Sequence, residues 1–206
     1  MKLLLAMMSK GREIPEFFPD VVKNVMVQNL EVKKMVYIYL VYYADYNPAC
    51  REIALLSINS FQKDMSGMNP LIRGLALRVM TSIRVPDIIQ IQLLAARKCA
   101  TDSSPYVRKC AANALPKIYA FDPEQLDQLK QLIEKLLKDT STMVLGSAVS
   151  AFNEICPTCY ELIHRSYRKI CHLLADLDEW SQVTYLHLLP FYPFHEFFCR
   201  SSPLKF

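Results

Sequence analysis

Three stretches of the chain restate one another at a spacing suited to stacked helical hairpins. They are Asn69-Pro70-Leu71-Ile72-Arg73-Gly74-Leu75-Ala76-Leu77, Ser104-Pro105-Tyr106-Val107-Arg108-Lys109-Cys110-Ala111-Ala112 and Ser141-Thr142-Met143-Val144-Leu145-Gly146-Ser147-Ala148-Val149. Pro70, Pro105 and Thr142 occupy equivalent positions, 35 and 37 residues apart. A fainter copy, Leu30-Glu31-Val32-Lys33-Lys34-Met35-Val36, precedes them by about one more period. A unit of this length is one helix pair that cannot bury its apolar face alone, so neighbours must stack into a quasi-one-dimensional solenoid. Such an array offers an extended surface to partners rather than a closed cavity to a substrate.

The helical period can be followed between the breaks. Apolar spacing predicts helices near 16–28, 31–46, 51–64, 70–84, 86–100, 105–119, 123–138, 142–155, 159–175 and 178–189. Pro70, Pro105 and Pro123 follow Asn69, Ser104 and Asp122, a capping residue and then a proline at the first helical position. In 123–138 one stripe carries Leu126, Leu129, Ile133, Leu136 and Leu137, opposite Glu124, Asp127, Gln128, Lys130, Gln131 and Lys135. The helix near 105–119 instead carries small residues, which allow close approach of its neighbours. No segment alternates with period two. The expected fold is all-α, a HEAT/armadillo-like right-handed α-solenoid of about five helix pairs over residues 1–189, with a partial turn at the amino end. Residues 190–206 form an irregular tail in which aromatics lie between Pro190 and Pro193. It reads either as a partner- or membrane-touching segment or, the preferred reading, as an abnormal terminus of a longer repeat protein.

Composition narrows the function. A formal net charge of +4, from intermixed acidic and basic residues, lacks the strongly basic footprint of a nucleic-acid binder. The apolar run within Met1–Met8 is too short for a signal peptide, and no run approaches the ~18–20 residues that cross a bilayer. Seven cysteines scattered in helical phases fit reduced thiols in the cytosol better than a disulfide framework. Apolar content of 52% suits a solenoid piece whose end repeats carry faces meant for further helices. Leu3, Leu4, Leu5 and Met8 are expected to belong to such a face.

Few residues invite a chemical reading. Cys156-Pro157-Thr158-Cys159, with His164, Cys171 and His172 downstream, has the look of a metal or redox motif. A tetrahedral site needs two closely spaced pairs, and adjacent Cys171 and His172 cannot easily converge on one ion; a redox dithiol calls for a βαβ context. Two cysteines at a helix boundary, one of them buried, is the favoured reading. There is no nucleophile-elbow spacing and no glycine-rich phosphate loop, so catalytic, cofactor and metal residues are all expected to be none.

Arg73 and Arg108 recur at equivalent helix starts, and Asp102 and Asp139 stand three residues before the second and third copies. An aspartate in the turn and an arginine in the following helix can bond across stacked repeats and fix their register. That ladder is imperfect, with Gly67 in the first aspartate position and Leu145 in the third arginine position. Lys33, Lys34 and Lys109 form a candidate partner- or membrane-facing basic edge, against the plainer reading of a solvated face. Tyr39, Tyr42 and Tyr46 share a stripe and read as packing and edge residues.

At these residues the chain resembles a known family. Ser104-Pro105-Tyr106-Val107-Arg108-Lys109, Asp122-Pro123-Glu124-Gln125, Ile133-Glu134-Lys135-Leu136-Leu137-Lys138-Asp139 and Ala151-Phe152-Asn153-Glu154-Ile155-Cys156-Pro157 are similar to the trunk of the beta adaptins. So are Glu31-Val32-Lys33-Lys34-Met35-Val36-Tyr37 and Asp178-Glu179-Trp180. The likeness spans about residues 2–189 and is nearest to the adaptor-complex-three branch. It implies a non-catalytic solenoid that holds a medium (mu) subunit and meets another large subunit (delta), with a small (sigma) subunit completing a heterotetramer. A small GTPase would recruit that complex to Golgi and endosomal membranes, in transport to lysosome-related compartments. Family members begin earlier and continue through further trunk, an acidic hinge and an ear, so the chain is expected to be a piece truncated at both ends. A peptide-binding receptor of the armadillo or importin type is the alternative. It would line a groove with regularly placed Trp and Asn, and Trp180 is the one tryptophan.

Overall fold

Repeated Asn-Pro and Ser-Pro starts translate directly into helix starts. The computed structural model describes residues 1–188, and among them every regular element is helical. The first part holds α1 (Lys2–Ser9), α2 (Phe18–Lys23), α3 (Leu30–Tyr46), α4 (Pro48–Leu55), α5 (Ile58–Asp64), α6 (Pro70–Met80) and α7 (Ile89–Cys99). It continues with α8 (Pro105–Phe121), α9 (Leu126–Leu137), α10 (Thr142–Ile155), α11 (Tyr160–His164), α12 (Tyr167–Leu173) and α13 (Glu179–Leu188). The side chains of Asn29, Asn47 and Asn69 accept the second or third backbone N–H of α3, α4 and α6, satisfying donors that a helix start leaves unpaired. Pro48, Pro70 and Pro105 supply the first helical residue, where no N–H is needed.

These helices stack in two layers. One contains α3, α6, α8, α10 and α13, each packed on the next; the other contains α2, α4 with α5, α7, α9, and α11 with α12. Each second-layer element precedes its first-layer partner in the chain, which makes five helix pairs preceded by α1 among the described residues. The core runs between the layers as one continuous cluster, from Phe18 and Leu40 through Leu77, Met80 and Leu115 to Phe152 and Ile170. On α8, Ala111, Ala112 and Ala114 are buried, and that small-residue surface admits α6 on one side and α10 on the other. The stripe on α9 buries Leu129, Leu132, Ile133, Leu136 and Leu137.

Several boundaries differ from the spacing. The helix expected at 51–64 begins earlier, at Pro48, and is split at Leu56–Ser57 into α4 and α5, although no glycine or proline stands there. The segment 159–175 is likewise split, at Arg165–Ser166. Around α2 the expected helix narrows to six residues, flanked by 3-10 turns at Pro15–Phe17 and Asn24–Met26. Tyr39 is buried and donates its hydroxyl to the Ile14 carbonyl, whereas Tyr42 is half exposed. Tyr46's side chain and the tail at 190–206 lie outside the described residues.

The α9 stripe generates a stability prediction. Leu136→Asp places a carboxylate where Leu136 is 1% exposed, and it should cost several kcal/mol, read as a lower midpoint in urea followed by circular dichroism. Leu94→Asp, on the exposed side of α7, should leave that midpoint nearly unchanged.

Candidate functional site

Equivalent residues at the starts of α3, α6 and α8 are cationic, and each reaches toward the start of the next first-layer helix. Arg73 donates from Nε to Asp102 Oδ2 and from Nη2 to Asp102 Oδ1, both at 2.8 Å. Its Nη1 donates to the carbonyls of Gly67 and Met68, at 2.9 and 2.8 Å. Arg108 repeats this arrangement one unit later. Its Nε and Nη2 donate to Asp139 at 2.5 and 3.1 Å, and its Nη1 to the carbonyls of Asp102 and Ser103 at 2.8 and 3.1 Å. A planar guanidinium does both jobs at once, which an ammonium cannot. The aspartates also accept backbone N–H groups, Asp102 from Ser104 at 2.8 Å and Asp139 from Ser141 at 2.9 Å. These bonds shape the turn that starts α8 and α10, whose Ser104 and Ser141 side chains make no cap bond.

Lys33 requires a correction. Its side chain is fully buried, 0% exposed, and its Nζ pairs with Asp64, which also accepts the Tyr37 hydroxyl. Lys33 is therefore not part of a partner- or membrane-facing edge; it is the first rung of the ladder. Asp64, three residues before Gly67, supplies the carboxylate that the repeat alignment left blank. An unpaired ammonium would be too costly to bury, so its position and that of Asp64 are mutually required. Lys34, next in sequence, is exposed. Lys109 is half-buried and stands near enough to Asp178 to help hold that carboxyl down.

At the third repeat the device changes. Leu145 replaces the arginine, and Lys169 from α12 donates to the carbonyls of Lys138 and Asp139 instead. Asp178 takes the next aspartate position, accepting the Ser181 N–H at 3.0 Å and its hydroxyl at 2.9 Å at the start of α13. Gly146 makes room for this contact, since a Cβ there would stand 2.0 Å from Ser181 Oγ and 2.6 Å from its Cβ. Lys169 has no equivalent in the repeat alignment, so periodicity could not reveal it; Gly146 in that register was the available signal for close approach.

Electrostatics follow this geometry. The Arg73 hydrogen bonds, with help from the Ser104 N–H, hold the Asp102 carboxyl below its ordinary 3.8 despite burial. Burial raises the Asp139 pKa, but the bonds from Arg108 and from the Ser141 and Thr140 N–H groups outweigh it, and the net shift is downward. Burial pushes the Cys156 thiol up to about 12, with the neighbouring Cys159 adding to the rise. A thiol so raised is protonated at neutral pH and is poorly suited to nucleophilic or metal-binding chemistry. Cys159 is half-buried, and among the described residues no group of three or more His, Cys, Asp or Glu side chains could hold a metal. No helix among them is long and apolar enough to cross a membrane.

Two layers of paired helices, stitched at successive helix starts by cation–aspartate rungs, define a helical-repeat protein, an all-α solenoid. Residues 1–197 match the Adaptin N terminal region, and the chain belongs to that family. It is 53% identical over its whole length to the AP-3 complex subunit beta of Dictyostelium discoideum, covering 18% of that protein. It is 52% identical to the AP-3 complex subunit beta-1 of Homo sapiens, over 93% of this chain and 17% of that one. The chain thus spans less than a fifth of these curated relatives. Among solved structures, a homology model of the full-length AP-3 complex in an intermediate open conformation matches with a TM-score of 0.67 at 31% identity, over 91% of this chain and 30% of that chain. A computationally designed armadillo repeat protein matches at a TM-score of 0.53 and 20% identity, over 83% of this chain and 80% of that one, a likeness of fold alone.

The rungs give two predictions. Arg73→Ala leaves Asp102 partly buried without its partner and should cost about 2 kcal/mol in urea unfolding, whereas Gly146→Ala should cost about 1–3 kcal/mol by overpacking against Ser181. The second concerns pH. Because the folded-state pKa values of Asp102 and Asp139 lie below the unfolded value, their stabilisation is complete above about pH 4 and is lost as pH falls further, through the folded values. Asp102→Asn should flatten the acid limb of a stability–pH profile below pH 4.

Proposed function

We propose that this chain serves as a non-catalytic structural segment of a heterotetrameric adaptor complex in vesicle-mediated intracellular protein transport. The carrying observation is its 52–53% identity, over 93–100% of its length, to AP-3 beta subunits. In this reading the two-layer array holds the mu subunit, meets the delta subunit and stands with sigma in one core. Association with Golgi and endosomal membranes is peripheral, through the complex and a small GTPase, and the cargo is bound for lysosome-related compartments. The ladder supports such a role because it makes successive pairs one continuous body that can carry load between subunits. The rungs use the charges of Arg73, Asp102, Arg108 and Asp139 for the fold itself, which favours a reading in which other residues recognise partners. The importin-type alternative has less support, since Trp180 is a single exposed aromatic on α13 rather than one of a regular row.

Affinity-tagged chain, co-expressed with full-length mu, delta and sigma subunits, should retain mu and delta on purification. Failure to retain either, where a full-length beta subunit does so under the same conditions, would refute the proposal for this chain.

A further inference from the structure

The exposed side of α3, α6 and α8 carries a trough of about 720 Å³ whose chemistry is asymmetric. Its apolar part is open to solvent: Ile38 is 54%, Tyr42 49% and Leu71 42% exposed. Among the described residues its charged part is cationic, with Lys34 on α3, Arg78 on α6 and Lys117 on α8, and no described aspartate or glutamate lines it. Counted from the ladder residue of its own helix, Lys34 lies one position on, Arg78 five and Lys117 nine. The rungs hold the three helix starts together, so the cations step about one turn further along each successive helix, forming a diagonal row across the trough.

No described carboxylate of the fold neutralises this row. Among the described residues no ion pair involves Lys34, Arg78 or Lys117; Lys117 donates instead to the Ser82 hydroxyl at 2.9 Å. Packing around Lys117, followed by repulsion from Arg78 and Arg84, holds its ammonium below the ordinary lysine range. A ligand bringing carboxylates would relieve that repulsion while covering the apolar floor. The floor runs along helix axes, with Ile38 and Tyr42 one turn apart on α3 and Leu71 and Leu75 one turn apart on α6. That spacing is complementary to apolar anchors on a helix laid in a groove. The exposed apolar floor also distinguishes this surface from a purely electrostatic site for phosphates.

We propose that the trough formed by α3, α6 and α8 is a docking groove for an acidic amphipathic helix of a partner protein. Its apolar stripe would cover Ile38, Tyr42, Leu71 and Leu75, and its carboxylates would pair with Lys34, Arg78 and Lys117. The inference rests on the groove's chemistry and does not depend on assembly with mu or delta, so either can fail alone.

Fluorescence anisotropy with the full chain provides the test. The probes are a labelled Leu/Glu amphipathic helical peptide, a scrambled peptide of the same composition and a Leu/Lys counterpart. The chain should bind the Leu/Glu helix at least about tenfold more tightly than either control, and Ile38→Asp or Arg78→Glu should each weaken that binding by about tenfold. Both positions are exposed, and unchanged thermal melting shows that the variants remain folded. The double variant Arg78→Glu/Lys117→Glu should reverse the preference toward the Leu/Lys helix. Equal affinity for the three peptides, or indifference to Arg78→Glu, would overturn the proposal. So would concentration-dependent self-association abolished by Ile38→Asp, which would make a second copy the occupant. Binding of anionic phospholipid vesicles through the same residues, without preference for the Leu/Glu helix, would assign the surface to a membrane and overturn it equally.

Discussion

A cation at the start of one first-layer helix, held by an aspartate that opens the next, sets the geometry on which the remaining packing depends. Helix pairs that touch only their neighbours can slide or rotate against one another, because apolar burial is non-directional. The Arg73–Asp102 and Arg108–Asp139 forks remove that freedom at one point per repeat. Each guanidinium has its planar edge on a carboxylate of the next unit and its remaining nitrogen on carbonyls of its own turn. The carboxylate in turn orders the N–H groups that begin the following helix. Register between units and the start of each helix are thus fixed by the same atoms.

The ladder is built from different parts where the surroundings demand it. At the amino end the rung is fully buried, and a lysine with a tyrosine hydroxyl satisfies Asp64. In the two middle rungs the side chains remain about one-tenth to one-sixth exposed, and arginine serves the carboxylate and the turn together. Toward α13 the two tasks separate. Lys169 ties down the turn carbonyls, while Asp178 caps α13 by accepting from Ser181, beside the gap that Gly146 leaves open. One mechanical requirement, joining successive helix starts, is met by three solutions of differing donor geometry.

This variety explains what the sequence could reveal. The Asn-Pro and Ser-Pro starts and the strong α9 stripe carry local signals, and the helices they predict at α6, α8 and α9 are found. Arg73, Asp102, Arg108 and Asp139 keep a fixed place relative to each helix start, so alignment of the repeats singles them out; that each arginine takes the aspartate of the next turn is seen in the structure. Lys33 was misread because its adjoining Lys34 suggested a surface pair and because Asp64 sits three residues away from the aligned position. The division of α4 from α5 has no glycine or proline to mark it, so tertiary packing rather than local propensity sets it. Lys169 is invisible to periodicity for the same reason: it acts from the other layer.

The contrast between Lys33 and Lys34 shows how structure and recognition divide the same face of the array. Adjacent positions on an α-helix point about 100° apart, so two identical side chains in sequence enter different environments. Lys33 turns into the fold, where Asp64 neutralises it; Lys34 turns outward to an apolar trough in which no described residue supplies a carboxylate. An inward charge must be compensated for the chain to fold, whereas an outward one can be left uncompensated at little cost in water. Fixing the helix starts with the inward set therefore arranges the outward set as well, and Lys34, Arg78 and Lys117 inherit their diagonal from rungs in which none of them takes part.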